Sequence, residues 1–179
     1  METVTQPNSS DWPMTPDALL AFLEENLIET CLHHHEPLFT VEDAEKIDAT
    51  IPGTHCRNLF LRDKKKQNYL VVLRNETELD IKKLEYLLHS ARLSFGSAER
   101  LWEFLGVKPG SVCPFAAIND VQGGVRLILE KDMMDEEVLC FHPLLNTMTV
   151  AIKPADLRRF FKLIGREDVE ELDLKPSAP

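Results

Sequence analysis

The sequence lacks the short motifs that mark several large classes of enzyme. Its 179 residues contain no GxGxxG or GxxxxGK[S/T] nucleotide-binding pattern, no HExxH zinc-protease motif and no GxSxG hydrolase motif. Each of these motifs positions a phosphate, a metal or a nucleophile, so its absence counts against that chemistry. We therefore expect any enzymatic activity to belong to another class, and we expect no cofactor.

Long apolar runs and leader-like features are also missing. The apolar runs are of strand length, far below the roughly 20 residues that cross a membrane. The N-terminal segment carries Glu2 and Asp11 and no basic stretch followed by an apolar one, which argues against a secretory signal. The four cysteines lie 25, 57 and 27 residues apart, which fits neither a CxxC pair nor a disulfide framework. We expect reduced cysteines, a cytoplasmic protein and no membrane partner.

Positive charge is scarce, with 20 lysines and arginines against 30 acidic residues and a net charge of -10. A domain that grips nucleic acid by bulk charge is normally basic, so an RNA partner would need local basic patches. Two stretches, RNLFLRDKKK and LRRFFK, supply such patches, although they also fit a solvated hairpin tip and the outer face of a helix. The predicted RNA-binding residues are Lys64, Lys65, Lys66, Arg158 and Arg159.

The hydrophobic pattern mixes helical and strand periodicity without strict alternation. It predicts a mixed α/β fold of the α+β kind, with a largely antiparallel sheet flanked by helices. We expect a flexible N-terminal arm over 1–16, a single domain over 17–170 and a C-terminal tail over 171–179. Predicted helices cover about 16–30, 40–50, 81–88, 97–105 and 157–164, and predicted strands cover about 55–63, 68–74, part of 108–120, 123–131, 137–142 and 147–152.

Two short segments contain candidate site residues. His142 precedes Pro143, which biases it toward an extended backbone at the end of a strand. On its own it also fits a histidine at the core edge that is bonded to a carbonyl. Pro109 and Gly110 predict a type II turn whose outward N–H groups suit a developing oxyanion, although the same residues suit an ordinary tight turn.

Cysteine and metal chemistry are weaker hypotheses. Cys113 or Cys140 could join His142 and a carboxylate as a nucleophilic set, but buried cysteines are more often small core residues. His55, Cys56, Cys140 and His142 form a possible zinc set without zinc-like spacing, and the triple histidine at 33–35 needs ligands from elsewhere. We therefore predict no metal site.

Several segments together resemble one family. RNLFLRDKK, LVVL, RLSFGSAERLWEFLGVKPGSVCPFAAIND and FHPLLNTMTVAI follow, in this order, the pattern of the prolyl-tRNA editing (YbaK/ProX-like) family, from about Pro37 to Phe161. The chain is most similar to the free-standing, synthetase-associated type. The resemblance implies a YbaK-like editing domain without metal or organic cofactor. It also implies hydrolysis of the ester that joins a wrong amino acid to the 3′ adenosine of tRNA.

The resemblance also implies site residues. Gly110, His142 and Arg57 take the catalytic positions, where Arg57 replaces the lysine usual in the family. Arginine stays protonated, so it can hold an oxygen by charge but cannot exchange a proton. The implied substrate-binding residues are Asn58, Ser111, Val112, Cys113, Pro114 and Asn146.

The sequence thus predicts a trans-acting aminoacyl-tRNA deacylase. The expected substrate is tRNA-Pro charged with alanine, and prolyl-tRNA synthetase is a candidate partner. One alternative is a catalytically weak module that binds tRNA or the synthetase, suggested by Arg57 and the acidic charge. Another is a cysteine-dependent hydrolase of small molecules.

Overall fold

The structure is a computed structural model that describes residues 13–176, along which helices and strands alternate irregularly. No helix of this described range is long and apolar enough to span a bilayer. The helices are α1 (Pro16–Glu25), α2 (Val41–Asp48), α3 (Ile81–Leu88), α4 (Ala98–Leu105) and α5 (Pro154–Leu163), and two 3-10 segments span Pro114–Asn119 and Met133–Asp135. The strands are β1 (Thr30–His34), β2 (Thr54–Asp63), β3 (Asn68–Arg74), β4 (Leu93–Phe95), β5 (Val125–Glu130), β6 (Leu139–Phe141), β7 (Met148–Ile152) and β8 (Glu170–Leu172).

The strands form one mixed sheet in the order β1-β7-β6-β2-β3-β5-β8, with β4 paired to β2 outside this path. Four pairings are antiparallel, namely β1 with β7, β6 with β7, β2 with β3 and β2 with β4. β2 pairs with β6, β3 with β5 and β5 with β8 in parallel. The predicted mixed, largely antiparallel sheet with flanking helices is confirmed.

The period-two pattern of β3 explains why helices cover both faces of the sheet. Leu70 and Val72 belong to the larger apolar cluster, which packs α1, α4, α5 and the segment Pro114–Asn119 against the sheet. Val71 and Leu73 point to the other face and join the smaller cluster with α3. A strand that is buried on both faces reads as a continuous apolar run, as YLVVL does.

The predicted caps of α2 and α4 are confirmed, whereas α5 begins at Pro154, three residues before its predicted start. The hydroxyl of Thr40 accepts from the Asp43 backbone N–H at 3.0 Å, and the Asp43 carboxylate accepts from the Thr40 N–H, so a capping box begins α2. Ser97 caps α4 in the same way by accepting from the Arg100 N–H at 3.2 Å. The cap at Thr40 matters most for function, because α2 borders the candidate site.

Two segment predictions were wrong. The first helix ends at Glu25 instead of Thr30, because Leu27 takes a left-handed conformation with φ of 57° and turns the chain into β1. The triple histidine therefore lies in and just after an edge strand that was not predicted. The second error is the strand expected within 108–120, where a buried 3-10 helix begins at Pro114. Proline has no N–H for a sheet ladder and suits the first position of a helix.

The chain ends differ from the expected boundaries. β8 pairs with β5 up to Leu172, and Leu174 is buried, so ordered packing continues past residue 170 into the predicted tail. At the other end, the Met14 N–H donates to the Asn119 side chain at 2.9 Å and Thr15 caps α1. Most of the predicted arm, residues 1–12, lies outside the described residues.

Candidate active site

A pocket of about 480 Å³ lies beside the short parallel pairing of β2 and β6. The two strands pair only at Thr54 with Leu139 and at His55 with Cys140, and the pocket includes residues of both strands beyond that pairing. Helix α2 forms one wall. The lining residues are Val41, Ala44, Glu45, Asp48, His55, Cys56, Arg57, Asn58, Asn75, Cys140, Phe141, His142 and Thr149.

Strand geometry explains how the polar side chains meet. Because side chains alternate along a strand, His55 and Arg57 lie on one face of β2. Cys140 pairs directly with His55 and shares that face, and His142 follows Cys140 at a spacing of two. The structure therefore brings together Arg57 and His142, two of the three predicted catalytic residues. Asn58 also lines the pocket, although alternation along β2 directs its side chain to the opposite face of the strand.

Arg57 is held from one end of its guanidinium group. Its Nη2 donates to the backbone oxygen of Thr77 at 2.6 Å. Its Nε is buried and has no hydrogen-bond partner among the described residues. The Oδ1 of Asn58 is also buried and also has no hydrogen-bond partner there. Leaving a buried donor or acceptor unpaired costs about 1–3 kcal/mol, so such atoms in a pocket indicate where a ligand can bind.

His142 is anchored as a neutral imidazole. Its Nδ1 lies 2.9 Å from the backbone oxygen of Met148, and a carbonyl oxygen only accepts, so Nδ1 carries the hydrogen. Burial lowers the pKa of His142 below its ordinary value, and the nearby His35 lowers it further. In the neutral ring Nε2 is then left as an acceptor. His142 is thus bonded to a carbonyl, as one interpretation of the sequence has it, and it also lines the pocket; its catalytic role stays a prediction.

His35 and Thr149 support the His142 ring from the side. The His35 ring packs edge-on against His142 with centroids 5.9 Å apart, and its Nε2 lies 2.9 Å from the Thr149 hydroxyl. Because His35 Nδ1 faces the Glu36 carbonyl at 2.9 Å, the neutral His35 ring accepts from Thr149 through Nε2. The triple histidine thus contributes one residue next to the site, which the sequence reasoning did not foresee.

The Gly110 turn does not line the pocket. Gly110 has φ of 88°, and the Ser111 N–H donates to Lys108 O at 3.0 Å, as expected for a type II turn. A Cβ placed on Gly110 would lie 3.8 Å from the Asn146 amide nitrogen, which itself donates to Leu38 O at 2.9 Å. Of the predicted substrate-binding residues, only Asn58 lines the pocket; those outside it are Ser111, Val112, Cys113, Pro114 and Asn146.

Neither Cys113 nor Cys140 forms the nucleophilic set considered from the sequence. Cys113 is fully buried outside the pocket, and burial raises the pKa of its thiol to about 11. Cys140 faces His55, but His55 Nδ1 lies 3.1 Å from Asp48 and Nε2 lies 2.8 Å from Ile51 O. Two acceptors require both nitrogens to carry hydrogen, so this imidazole cannot take a proton from the thiol.

The His55–Asp48 pair is part of the pocket that sequence reasoning missed. Burial alone would lower the pKa of His55, but its hydrogen bonds to Asp48, Cys140 and Ile51 outweigh burial and raise the pKa to about 10. His55 is therefore an imidazolium whose charge is compensated by Asp48. Among the described residues, no three histidine, cysteine or acidic side chains converge to hold a metal ion.

The predicted RNA-binding residues all lie away from the pocket. Residues 64–66 form the turn after β2. They follow Arg57 by seven or more positions, and seven residues of an extended strand span about 23 Å. On α5, Arg158 pairs with Glu171 at 2.7 Å, and Arg159 donates to the carbonyl oxygens that follow α1. Both arginines line a second cavity of about 660 Å³, between α5 and the β8 side of the sheet.

Comparison with known proteins places this geometry in a family. Residues 35–160 match the family described as the aminoacyl-tRNA editing domain. The chain is 36% identical over 149 residues to the prolyl-tRNA editing protein ProX of Acetoanaerobium sticklandii, which covers 83% of this chain and 91% of that protein. It is 33% identical over 144 residues to the prolyl-tRNA synthetase associated domain-containing protein 1 of Danio rerio. That match covers 79% of this chain and 78% of that protein.

A solved structure shares the fold. A crystal structure described as that of a candidate trans-editing enzyme for prolyl tRNA synthetase superposes with a TM-score of 0.65 at 17% identity, covering 90% of this chain and 97% of the other. The matched family range contains Arg57, Asn58, Gly110 and His142, and it includes every residue that lines the pocket. The resemblance seen in the sequence is confirmed, and the chain belongs to the aminoacyl-tRNA editing domain family.

Proposed function

We propose that the protein is a trans-acting deacylase that hydrolyses the ester of mischarged tRNA, with alanine-charged tRNA-Pro as its substrate. Membership of the editing domain family supports the reaction class. A relative named as a prolyl-tRNA editing protein, 36% identical to this chain, supports tRNA-Pro as the RNA. The proposed reaction uses neither a metal nor an organic cofactor.

The observation that carries this proposal is a cationic side chain, Arg57, in the wall of the pocket that neutral His142 also lines; the buried Nε of Arg57 has no hydrogen-bond partner among the described residues. Ester hydrolysis needs a donor for the oxyanion that develops on the carbonyl oxygen, and a fixed cation in a buried site is effective in that role. It also needs a water held for attack. The acceptor nitrogen of His142 is a group that can hold it.

The proposed reaction balances with water as the only co-reactant. Water attacks the ester carbonyl carbon, and Arg57 Nε–H stabilises the negative charge on the carbonyl oxygen. His142 Nε2 takes a proton from the water and returns it to the ribose oxygen as the C–O bond breaks, releasing alanine and tRNA. Because the ester is already activated, positioning and electrostatic stabilisation suffice without a protein nucleophile.

The proposed specificity rests on the difference in side-chain size between alanine and proline. A synthetase site built for proline cannot strongly exclude alanine, because each missing methylene is worth only ~1–3 kcal/mol of discrimination. A second site that admits alanine and excludes proline corrects this error. The Gly110 turn and its neighbour Asn146 are proposed to limit the space for the amino acid side chain.

We further propose that residues 64–66 and the α5 arginines contact tRNA phosphates away from the pocket. The 3′ end is single-stranded, so the ester can enter the pocket while paired parts of the tRNA lie elsewhere. Prolyl-tRNA synthetase is the proposed protein partner, and a role in translation fidelity assigns the protein to the cytoplasm.

The decisive experiment measures release of labelled alanine from Ala-tRNA-Pro in single-turnover conditions. Wild type and a variant with all four cysteines changed to serine should be equally active, and both should retain activity after prolonged treatment with a strong chelator. Pro-tRNA-Pro should be spared. Tight binding of tRNA without any deacylation would instead favour a binding module, and loss of activity in the cysteine-free variant would favour a thiol hydrolase.

A further inference from the structure

We propose that Thr77 and Glu130 are positioning residues that aim the Arg57 guanidinium group at the reacting ester. This inference rests on the proposed function. Neither residue lines the pocket, and both act through a chain of short hydrogen bonds that ends at Arg57. The chain begins at a buried carboxylate on β5 and crosses the loop that follows β3.

Glu130 is a rigid anchor. It is completely buried, and its carboxylate accepts from the Arg74 backbone N–H at 3.0 Å, from Arg74 Nε at 3.0 Å and from Arg74 Nη2 at 3.2 Å. The Thr77 hydroxyl donates the fourth bond at 2.7 Å. Burial alone would raise the pKa of Glu130, but the bonds from Arg74 and Thr77 outweigh it and lower the pKa. The carboxylate is therefore ionised and fully hydrogen-bonded.

Thr77 is fixed at every polar atom it has. Its hydroxyl donates to Glu130, its backbone N–H donates to Arg74 O at 3.1 Å, and its backbone oxygen accepts from Arg57 Nη2 at 2.6 Å. A carbonyl held in this way cannot follow small movements of the arginine. The oxygen of Thr77 thus acts as a fixed point for one corner of the guanidinium group.

That fixed point determines where the free nitrogen points. The guanidinium group is planar and its donors form a rigid fork, so holding Nη2 restricts the direction of Nε–H. Nε is buried and has no hydrogen-bond partner among the described residues. The charge of Arg57 is not neutralised by this contact, because the oxygen that accepts from Nη2 belongs to an uncharged carbonyl.

The position of this nitrogen should affect rate more than binding. An error of ~1 Å at a reacting centre can cost ~100-fold in rate. Removal of the Thr77 hydroxyl frees Thr77 from Glu130 without removing the carbonyl that contacts Arg57. A partial displacement of Arg57 should then lower the chemical step while the affinity for tRNA, set by distant phosphate contacts, changes little.

The test is a double-mutant cycle on Ala-tRNA-Pro deacylation. Thr77→Val removes the hydroxyl at nearly constant shape and should lower the single-turnover rate roughly 10-fold, whereas Thr77→Ser should stay within about 2-fold of wild type. If Thr77 acts through Arg57, Thr77→Val should add no further loss in an Arg57→Ala background. Thr30→Val, in β1 at the far edge of the sheet, is the matched control and should behave as wild type.

A second readout separates this inference from the proposed function. The Arg57 Nε–H signal in a 15N NMR spectrum should exchange slowly with solvent in wild type and Thr77→Ser and faster in Thr77→Val. Thermal melts should show that every variant is folded. If wild type deacylates nothing, the proposed function fails, and the NMR comparison still tests the positioning. Equal exchange in all variants, or additive losses in the cycle, would overturn the role of Thr77.

Discussion

Replacement of Arg57 tests the proposed chemistry most directly. Arg57→Ala removes a cationic pocket residue whose buried Nε lacks a hydrogen-bond partner among the described residues, and it leaves the other pocket residues unchanged. A hydrogen bond from a charged group is worth ~1.5–3 kcal/mol. If that bond forms only in the transition state, its loss slows the chemical step roughly 10- to 160-fold.

Arg57→Lys separates charge from geometry. Lysine keeps the positive charge, but its ammonium group ends near the position of the arginine Cζ and has no planar fork. One ammonium can still donate both to the Thr77 oxygen and to a substrate oxygen. We therefore expect Arg57→Lys to stay within roughly 10-fold of wild type, because most of the charge-assisted contact is retained.

The assay is single-turnover release of labelled alanine, with tRNA binding measured separately. Arg57→Ala leaves the Thr77 carbonyl without its partner, so its melting temperature must be compared with that of wild type. Arg92→Ala is the matched control, because it removes the same charge from an exposed side chain. Full activity of Arg57→Ala at unchanged stability would show that Arg57 does not stabilise the oxyanion.

Three further predictions concern the turn, the pH dependence and RNA contact. Gly110→Val should lose most deacylation activity while tRNA still binds. Gly110→Asn should keep more activity, because asparagine tolerates positive φ. Equal activity of the two variants would show that the turn conformation does not affect catalysis. The pKa of His142 lies below its ordinary value of 6.5, and the deacylation rate should fall as the pH drops through this lowered pKa, because protonation removes the Nε2 acceptor. A deacylation rate that does not change on the acid side would contradict this role. Changing residues 64–66 to glutamate should weaken tRNA binding and flatten its salt dependence, whereas an unchanged slope would exclude them from the phosphate path.

Local signals explain which parts of the fold could be predicted. The hairpin of β2 and β3 follows from apolar runs that flank a polar, lysine-rich turn, and α2 follows from the pairing of Thr40 and Asp43. These features depend on residues that are close in the chain. The strand β1 was missed because its residues, TCLHH, have no alternation, and its pairing with β7 joins segments more than 110 residues apart.

The same reason limits what the sequence says about the site. Arg57, Asn58 and His142 were assigned by resemblance, and the structure places them in one pocket. Asp48 and Thr77 were missed, since neither belongs to a motif. Their roles arise from the short parallel contact of β2 and β6, and from the loop after β3 that Glu130 holds. A three-residue strand such as β6 carries no local signal that specifies a parallel partner.

The charges in the pocket show why an ester carbonyl is a suitable ligand in an acidic protein. Two side chains in the pocket are cationic, but His55 is paired with Asp48 and so contributes little net field. Arg57 contacts a neutral carbonyl and forms no ion pair among the described residues, so its charge is uncompensated at hydrogen-bond range. The neighbouring helix α2 is acidic and repels phosphates, which favours entry of the uncharged ester over the backbone. A carbonyl oxygen that is neutral on entry and becomes negative during the reaction gains most from Arg57, because the attraction grows as the transition state forms.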